Sequence, residues 1–251
     1  MTQFAIVICS SDARADFVPI TLEYLRNAFG EIVDGRVYLV GITKEIRNPD
    51  LISLVFDGAN TEPWSTRIRD GIERVRDDNI LLITEDILFV PQEQKTDHSI
   101  KDIFAVFKND ELDVLRLDSF PPPIRNGSQI YGFLAEDTIY RVSLQPSFWK
   151  KKFLLSCMQP NETIWDFEIL ASQRSVASAT VASLKSRLIP YEEVITRGQL
   201  SRAGHRLLTA SGHDEHGLPT RTVYEETRIS LRKWLIFILV SLRLPRRLLG
   251  Y

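Results

Sequence analysis

The sequence predicts an α/β fold: one domain with a mixed, mostly parallel sheet flanked by helices. Three observations carry this reading. Short apolar, β-branched runs alternate with stretches of helical periodicity through the first third of the chain. At 251 residues the chain suits one large α/β domain or two small ones, and no internal repeat or low-complexity linker divides it. Its composition, 44% hydrophobic and 25% charged, is that of a globular chain with a sizeable core.

The elements follow in order. Residues 4–9 contain no charged or amide side chain and read as a buried first strand; the run is too short, and lacks the basic leader, for a signal peptide. Ser10-Ser11-Asp12-Ala13-Arg14 is a polar loop. From 17 to 29, Ile20, Tyr24, Leu25 and Ala28 recur at helical spacing until Gly30 ends the helix. Residues 37–40 and 52–56 read as the second and third strands. Residues 65–75 form a short helix with Ile68, Ile72 and Val75 on one face, capped by Ser65 or Thr66. Residues 80–83 read as a strand buried on both faces, as parallel strands are.

The second half is less regular. Residues 103–107 look helical and 114–117 extended. Pro121-Pro122-Pro123 can continue neither element and marks a loop. Residues 131–133 and 139–144 read as strands. Residues 146–158 read as a helix with Pro146 near its start, and another helix begins near Trp165. We divide the chain into a domain at 1–222 and a C-terminal basic and apolar helix at 223–251.

Charge and cysteine usage bound the function. A formal charge of −2 argues against nonspecific nucleic-acid binding. Cys9 and Cys157 form no spacing pattern, so neither a disulfide nor a zinc site is expected and a reducing cytoplasm is the default. No stretch is long and apolar enough to span a bilayer.

Chemistry concentrates in four stretches. In residues 79–90 an apolar run ends on Glu85 and Asp86 and then turns apolar again. Ligands of open α/β sheets gather at the carboxyl ends of strands, and two acids there need a partner, hydrogen bonds or a cation. The plainer alternative has one acid capping a turn and the other in water. Ser10, Ser11 and Asp12 stand where hydroxyls and free amides could hold a base, ribose or phosphate. The glycine patterns of dinucleotide sites and P-loops are missing there. Arg67 and Arg69 could reach phosphates through bidentate bonds, or form a solvated basic face. Trp149 and Trp165 offer flat apolar surfaces near polar groups, the furniture of a sugar-binding cleft, and with Gln145 are candidates for binding an acceptor. Asp166 and Glu168 lie at a helix N-terminus that favours their ionised forms, where either can act as a general base. The alternative is that Trp149, Trp165 and Phe167 are core and Asp166 only caps the helix.

Residues 81–86, together with 144–149 and 165–168, resemble glycosyltransferases of the A-type fold. Within that fold they look like bacterial cell-envelope polysaccharide and lipopolysaccharide sugar transferases, which carry a strand-end Glu-Asp pair and a later Trp-x-x-Glu segment. The resemblance covers roughly residues 4–200. It implies a nucleotide-sugar donor across the ends of the first strands, with Asp12 near the nucleoside and Glu85 and Asp86 near the diphosphate. It implies Asp166 or Glu168 as base if the anomeric carbon inverts. Asp86 would hold Mg²⁺ or Mn²⁺ against the leaving diphosphate. The chain departs from the usual Asp-x-Asp motif because Thr84 stands in place of the first acid, which leaves metal dependence open.

In the tail, residues 229–249 place Trp234-Leu235-Ile236-Phe237-Ile238-Leu239-Val240 among Arg228, Arg232, Lys233, Arg243, Arg246 and Arg247. This pattern fits a helix lying in an anionic membrane surface, where a lipid-linked glycan acceptor would be met, or one docked on the core or another subunit. His213-Asp214-Glu215-His216 reads as a polar loop, with a metal ligand as the alternative. The expected function is transfer of a sugar to a glycan or glycolipid hydroxyl at the cytoplasmic side of a membrane. Its rivals are a nucleotidyltransferase and a degenerate nucleotide-sugar-binding scaffold.

Overall fold

The computed structural model describes residues 4–30, 36–90, 98–174, 178–213 and 217–241. The chain opens with strand β1 (Ala5–Cys9), a 3₁₀ segment over Asp12–Phe17 and helix α1 (Val18–Phe29), which ends at Gly30 with φ 57°. Strands β2 (Val37–Val40) and β3 (Leu51–Leu54), helix α2 (Trp64–Arg74) and strand β4 (Asn79–Thr84) complete the parallel half. Strand β5 (Ile87–Phe89), helix α3 (Ile100–Asn109) and strands β6 (Val114–Arg116), β7 (Arg125–Asn126), β8 (Tyr131–Phe133) and β9 (Ser147–Lys150) follow. Then come helices α4 (Lys151–Cys157) and α5 (Ile164–Arg174) and strands β10 (Val181–Leu184), β11 (Tyr191–Glu193), β12 (Ile195–Thr196) and β13 (Gln199–Leu200). Helices α6 (Arg202–Ala210) and α7 (Val223–Ser241) close the described chain.

Nine strands make the central sheet, in the order β3-β2-β1-β4-β9-β6-β10-β8-β7. β3, β2, β1 and β4 are mutually parallel, whereas β9 runs antiparallel to both β4 and β6. The chain leaves β1 towards β2 on one side and returns as β4 on the other, so the carboxyl ends of β1 and β4 flank a topological switch point.

Residue alternation divides the core. Ile6, Ile8, Leu81 and Ile83 pack on one face with Leu22 and Leu25 of α1 and Phe104 and Phe107 of α3. Val7, Cys9, Ile80 and Leu82 pack on the other with Ile68 and Ile72 of α2, Leu154 of α4 and Phe167 of α5. A smaller cluster joins Phe17, Ile20 and Tyr24 to Val194, Ile195, Leu200 and Leu208, which fastens the C-terminal hairpin and α6 to α1.

Two predicted elements are corrected. Residues 146–158 are a strand followed by a helix, because β4 and β6 both present an edge that Ser147–Lys150 fills, with Phe148 and Trp149 on opposite faces. Apolar spacing does not separate these alternatives in so short a run. Residues 139–144 form turns, not a strand. Two of their amides are satisfied by side chains of α5 instead of a neighbouring strand: Val142 N–H bonds Ser172 Oγ at 3.0 Å and Leu144 N–H bonds Glu168 Oε1 at 2.9 Å. The cap expected on α2 is also absent: Pro63 holds the N-cap place, and the Ser65 hydroxyl accepts the Glu162 N–H at 2.9 Å.

Gly71 allows α2 to lie against β2, since a Cβ there would stand 2.5 Å from Val40 Cγ1. We expect Gly71→Ala to destabilise the protein by about 1–3 kcal/mol in urea denaturation despite its better helix propensity, because the branched Val40 is locked in the sheet.

Candidate functional site

The site lies where β1 and β4 end. Gly41, at φ 88°, brings the loop after β2 so close to β1 that an added Cβ would stand 2.5 Å from the Ser10 carbonyl. Asp12 crosses this gap. Its carboxylate accepts the Thr43 N–H at 2.8 Å and the Thr43 hydroxyl at 2.6 Å. Burial pushes its pKa up, but these bonds outweigh burial and hold it below the usual carboxylate range. Ser10 is buried, and Ser11 is the half-buried residue preceding the 3₁₀ segment. Arg67 is buried and directed at this framework: Nη1 donates to the Gly41 carbonyl at 2.6 Å and Nε to the Glu62 carbonyl at 3.1 Å. It braces the loop that Asp12 also holds. Arg69 turns to the Leu155 carbonyl and to Glu73.

At the end of β4, Thr84 donates its hydroxyl to Asp86 at 2.5 Å, and the Asp86 carbonyl accepts the Val194 N–H. The Glu85 carbonyl is bonded by the Thr21 hydroxyl of α1. Burial raises the pKa of both acids well above the carboxylate range. Asp86 adds to the shift on Glu85, and Glu193 adds to that on Asp86, while Arg14 counters both. The sequence reading missed Glu193 and Arg14. Glu193 reaches the site from β11, pairing with β5, so no local pattern marks it.

The opposite wall is formed by α5 and the segment before β9. Glu168 accepts the Leu144 N–H, and burial followed by Glu193 raises its pKa, against Leu144 and Arg116. The side-chain amide of Gln145 accepts the Tyr191 hydroxyl at 3.0 Å and donates to Glu193 at 3.4 Å. Arg116, fully buried at the end of β6, donates to the Tyr140 and Phe120 carbonyls and so anchors both loops beside Glu168.

Two predicted site residues stand elsewhere. Trp149 is 0% exposed and packs in the core beneath the sheet, where it can touch no acceptor. Asp166 is exposed and forms a reciprocal cap with Thr163, whose amide and hydroxyl both bond its carboxylate and lower its pKa. Trp165, in contrast, is 53% exposed, and lies three residues from Glu168 on the same side of α5. Asp86, Gln145 and Glu168 are therefore brought together around Glu193, with Glu85 beside Asp86 and with Ser10, Ser11 and Asp12 at the end of β1.

No group of three metal-binding side chains is gathered among the described residues. His213 bonds Glu23 at 2.9 Å; Asp214, Glu215 and His216 lie outside the described residues. Both cysteines are buried and free. No helix among the described residues is long and apolar enough to cross a membrane. Leu231, Trp234 and Leu235 of α7 are exposed, and residues 242–251, with Arg243, Arg246 and Arg247, lie outside the described ones.

No protein-family model and no curated protein matches the chain. Solved structures do share its fold. The crystal structure of S. aureus TarS 1–349 matches with a TM-score of 0.54 at 13% identity, over 75% of this chain and 60% of that one. TarS 1–349 in complex with UDP and with UDP-GlcNAc matches at 12% identity over 72% of this chain, with TM-scores of 0.49 and 0.48, covering 60% and 58% of those chains. The chain thus spans about 60% of the length of these TarS 1–349 structures. The first likeness shows the fold: a mixed α/β architecture with a large central sheet flanked by helices, shared with TarS 1–349.

The buried acids make stability depend on pH. A carboxyl whose pKa is raised on folding stabilises the fold relative to its ionised form below about pH 4, where folded and unfolded states both carry the proton. That contribution is lost as the pH rises towards neutrality. Asp86→Asn should therefore flatten the decline of the urea midpoint between about pH 5 and 8 and leave the variant more stable than wild type at the upper end.

Proposed function

We propose that this chain is a glycosyltransferase that moves a sugar from a nucleotide-diphosphate donor to a hydroxyl of a glycan or glycolipid. The observation that carries the reading is Glu85 and Asp86 at the carboxyl end of β4, beside the switch point, with Asp86 and the part-buried Glu168 both close enough to Glu193 to feel its charge. The donor's nucleoside lies over the ends of β1 and β2 beside Asp12, Ser10 and Ser11, with its diphosphate towards β4. Arg14, half-buried and close enough to oppose the charge of both β4 acids, faces that diphosphate.

The sugar then sits between Asp86 and Glu168. The acceptor hydroxyl attacks the anomeric carbon as the bond to the diphosphate oxygen breaks; the electron pair leaves with the nucleoside diphosphate and the hydroxyl proton passes to Glu168. The anomeric centre inverts. Burial raises the Glu168 pKa towards the working pH, which strengthens it as a base, while the Leu144 N–H fixes the direction of its carboxylate. Gln145 and Trp165 hold the acceptor.

A divalent cation would relieve the repulsion between Asp86 and Glu193. Asp86, with Glu193 beside it, would hold Mg²⁺ or Mn²⁺, which when bound neutralises charge on the diphosphate. The acceptor's location is proposed from α7. Its exposed Tyr224, Leu231, Trp234 and Leu235 run into a basic sequence, a pattern suited to the surface of an anionic membrane and a lipid-linked acceptor in envelope polysaccharide synthesis.

Thermal unfolding with a panel of nucleoside diphosphates and nucleotide sugars, UDP and UDP-GlcNAc included, with and without Mn²⁺, tests donor binding. A ligand at about 100 times its Kd should add about 2.7 kcal/mol of stability. Product analysis with the stabilising donor then tests the assignment of roles. Glu168→Gln should lower kcat by about 10²–10⁴-fold with donor stabilisation unchanged, whereas Asp166→Asn should retain turnover. Loss in Asp166→Asn with an active Glu168→Gln would reverse the assignment. Donor binding without any turnover in the wild type would mark a scaffold, and the absence of any donor shift would remove the transferase reading.

A further inference from the structure

The hairpin of β12 and β13 overhangs the site, and its turn is built from an unexpected residue. Thr196 pairs with Gln199, so Arg197 and Gly198 form a two-residue loop. Both have positive φ, 54° and 77°, as a type I′ turn demands. Glycine meets that demand at no steric cost, and asparagine is the favoured residue at the first position. Arginine meets it only with strain, which is retained where the side chain has a task.

Around this turn the chain supplies a rigid mount. Val194 N–H bonds the Asp86 carbonyl, Thr196 Oγ1 bonds Glu193 at 2.9 Å, and the Gln199 amide reaches Glu225 of α7 at 3.4 Å. A Cβ on Gly198 would touch Arg14 Nη2 at 3.6 Å, so the tip rests against the donor-side arginine. From this mount the Arg197 guanidinium carbon stands 6.0 Å over the exposed ring of Trp165. Arg197 is itself exposed and forms no ion pair among the described residues. The neighbouring acid on the helix, Asp166, is turned into its own cap.

We infer that Trp165 and Arg197 form an acceptor subsite for a negatively charged sugar, one bearing a phosphate or a carboxylate. This rests on the proposed transferase reading and deepens it. The indole supplies the flat apolar face on which a pyranose or its ring carbons pack. The guanidinium supplies the fork that grips an anionic oxygen pair beside it. Trp165 and Glu168 share one side of α5, so a sugar stacked on the indole places its hydroxyls one helical turn from the base. A neutral acceptor would use the indole alone and leave the strained arginine without a function.

The test uses the full chain with ¹⁵N-labelled tryptophan, whose four indole N–H signals report separately on Trp64, Trp149, Trp165 and Trp234. Glucose, glucose 6-phosphate and glucuronate are titrated in turn, and Trp165→Phe assigns the signal. The Trp165 resonance should move with glucose 6-phosphate or glucuronate at about tenfold lower concentration than with glucose, the ratio that one charge-assisted contact supplies. Trp149, enclosed in the core, should stay still. A response to both anions supports the general class, and a response to one narrows it to phosphate or carboxylate.

Arg197→Asn should melt at the same temperature as wild type or higher, because it relieves the turn, yet lose the selectivity. Arg197→Lys should recover part of it. Equal response to glucose, no Trp165 response to any of the three, or selectivity that survives in Arg197→Asn would overturn the subsite. A lowered melting temperature in Arg197→Asn would overturn it also, since Arg197 would then be a structural residue. Stabilisation by UDP or another donor is measured on the same samples. If the donor fails while Trp165 selectivity holds, the transferase reading falls and the anion subsite stands; if the subsite fails while the donor binds, only the acceptor class falls.

Discussion

Strand β4 is bonded on both edges, by β1 and by β9, and covered on both faces by helices, so no charged side chain can be accommodated until it ends. Burying an unpaired carboxylate would cost more than a single strand can offset. The first acids of this segment therefore stand at its carboxyl end, beside the gap opened where β1 and β4 diverge in connection. Around that point every neighbouring element is arranged to satisfy a polar group. Thr21 and Val194 take the carbonyls of Glu85 and Asp86, and Thr84 takes the Asp86 carboxyl. What is left over is the mutual repulsion of Glu85 with Asp86 and of Asp86 with Glu193.

Helix α5 distributes its residues with similar economy. Successive positions turn by about 100°, so adjacent residues meet different surroundings while positions 165 and 168 return to one side. Phe167 enters the core, Trp165 faces outward, Asp166 closes its own first turn and Glu168 turns to the site, where Leu144 N–H holds it. The segment before β9 depends on this helix in return, since two of its amides bond Glu168 and Ser172. A carboxylate that fixes the main chain is also fixed by it, so the direction of the Glu168 side chain is set by the fold.

The sequence disclosed the parallel half of the fold almost element by element. There, strands are continuous apolar runs, helices have clear periodicity, and Gly30 stops α1 where expected. The strand-end acids were legible for the same reason: a double carboxylate inside an apolar run violates the local pattern. Trp149 was misread because a Trp among polar residues looks the same whether a sheet or a cleft receives it. Residues 139–144 were misread as a strand because buried Val142 and Leu144 alternate correctly, although their hydrogen bonds go to a helix. Arg67 looked free for phosphates, but a long flexible cation bonds the nearest unsatisfied carbonyls.

By itself the sequence determined the class of fold, the place of Glu85 and Asp86 at a strand end and the helix carrying Trp165 to Glu168, because each follows from spacing along a single element. Only the tertiary structure decided which of Asp166 and Glu168 faces the site, that Glu193 stands beside Asp86, and that Arg197 overhangs Trp165. These depend on pairings between residues far apart in the chain, such as β5 with β11, and on the helix register that the core selects. Local pattern carries no information about either, since a polar residue in a short hairpin looks alike whether it meets water or another segment's carboxylate.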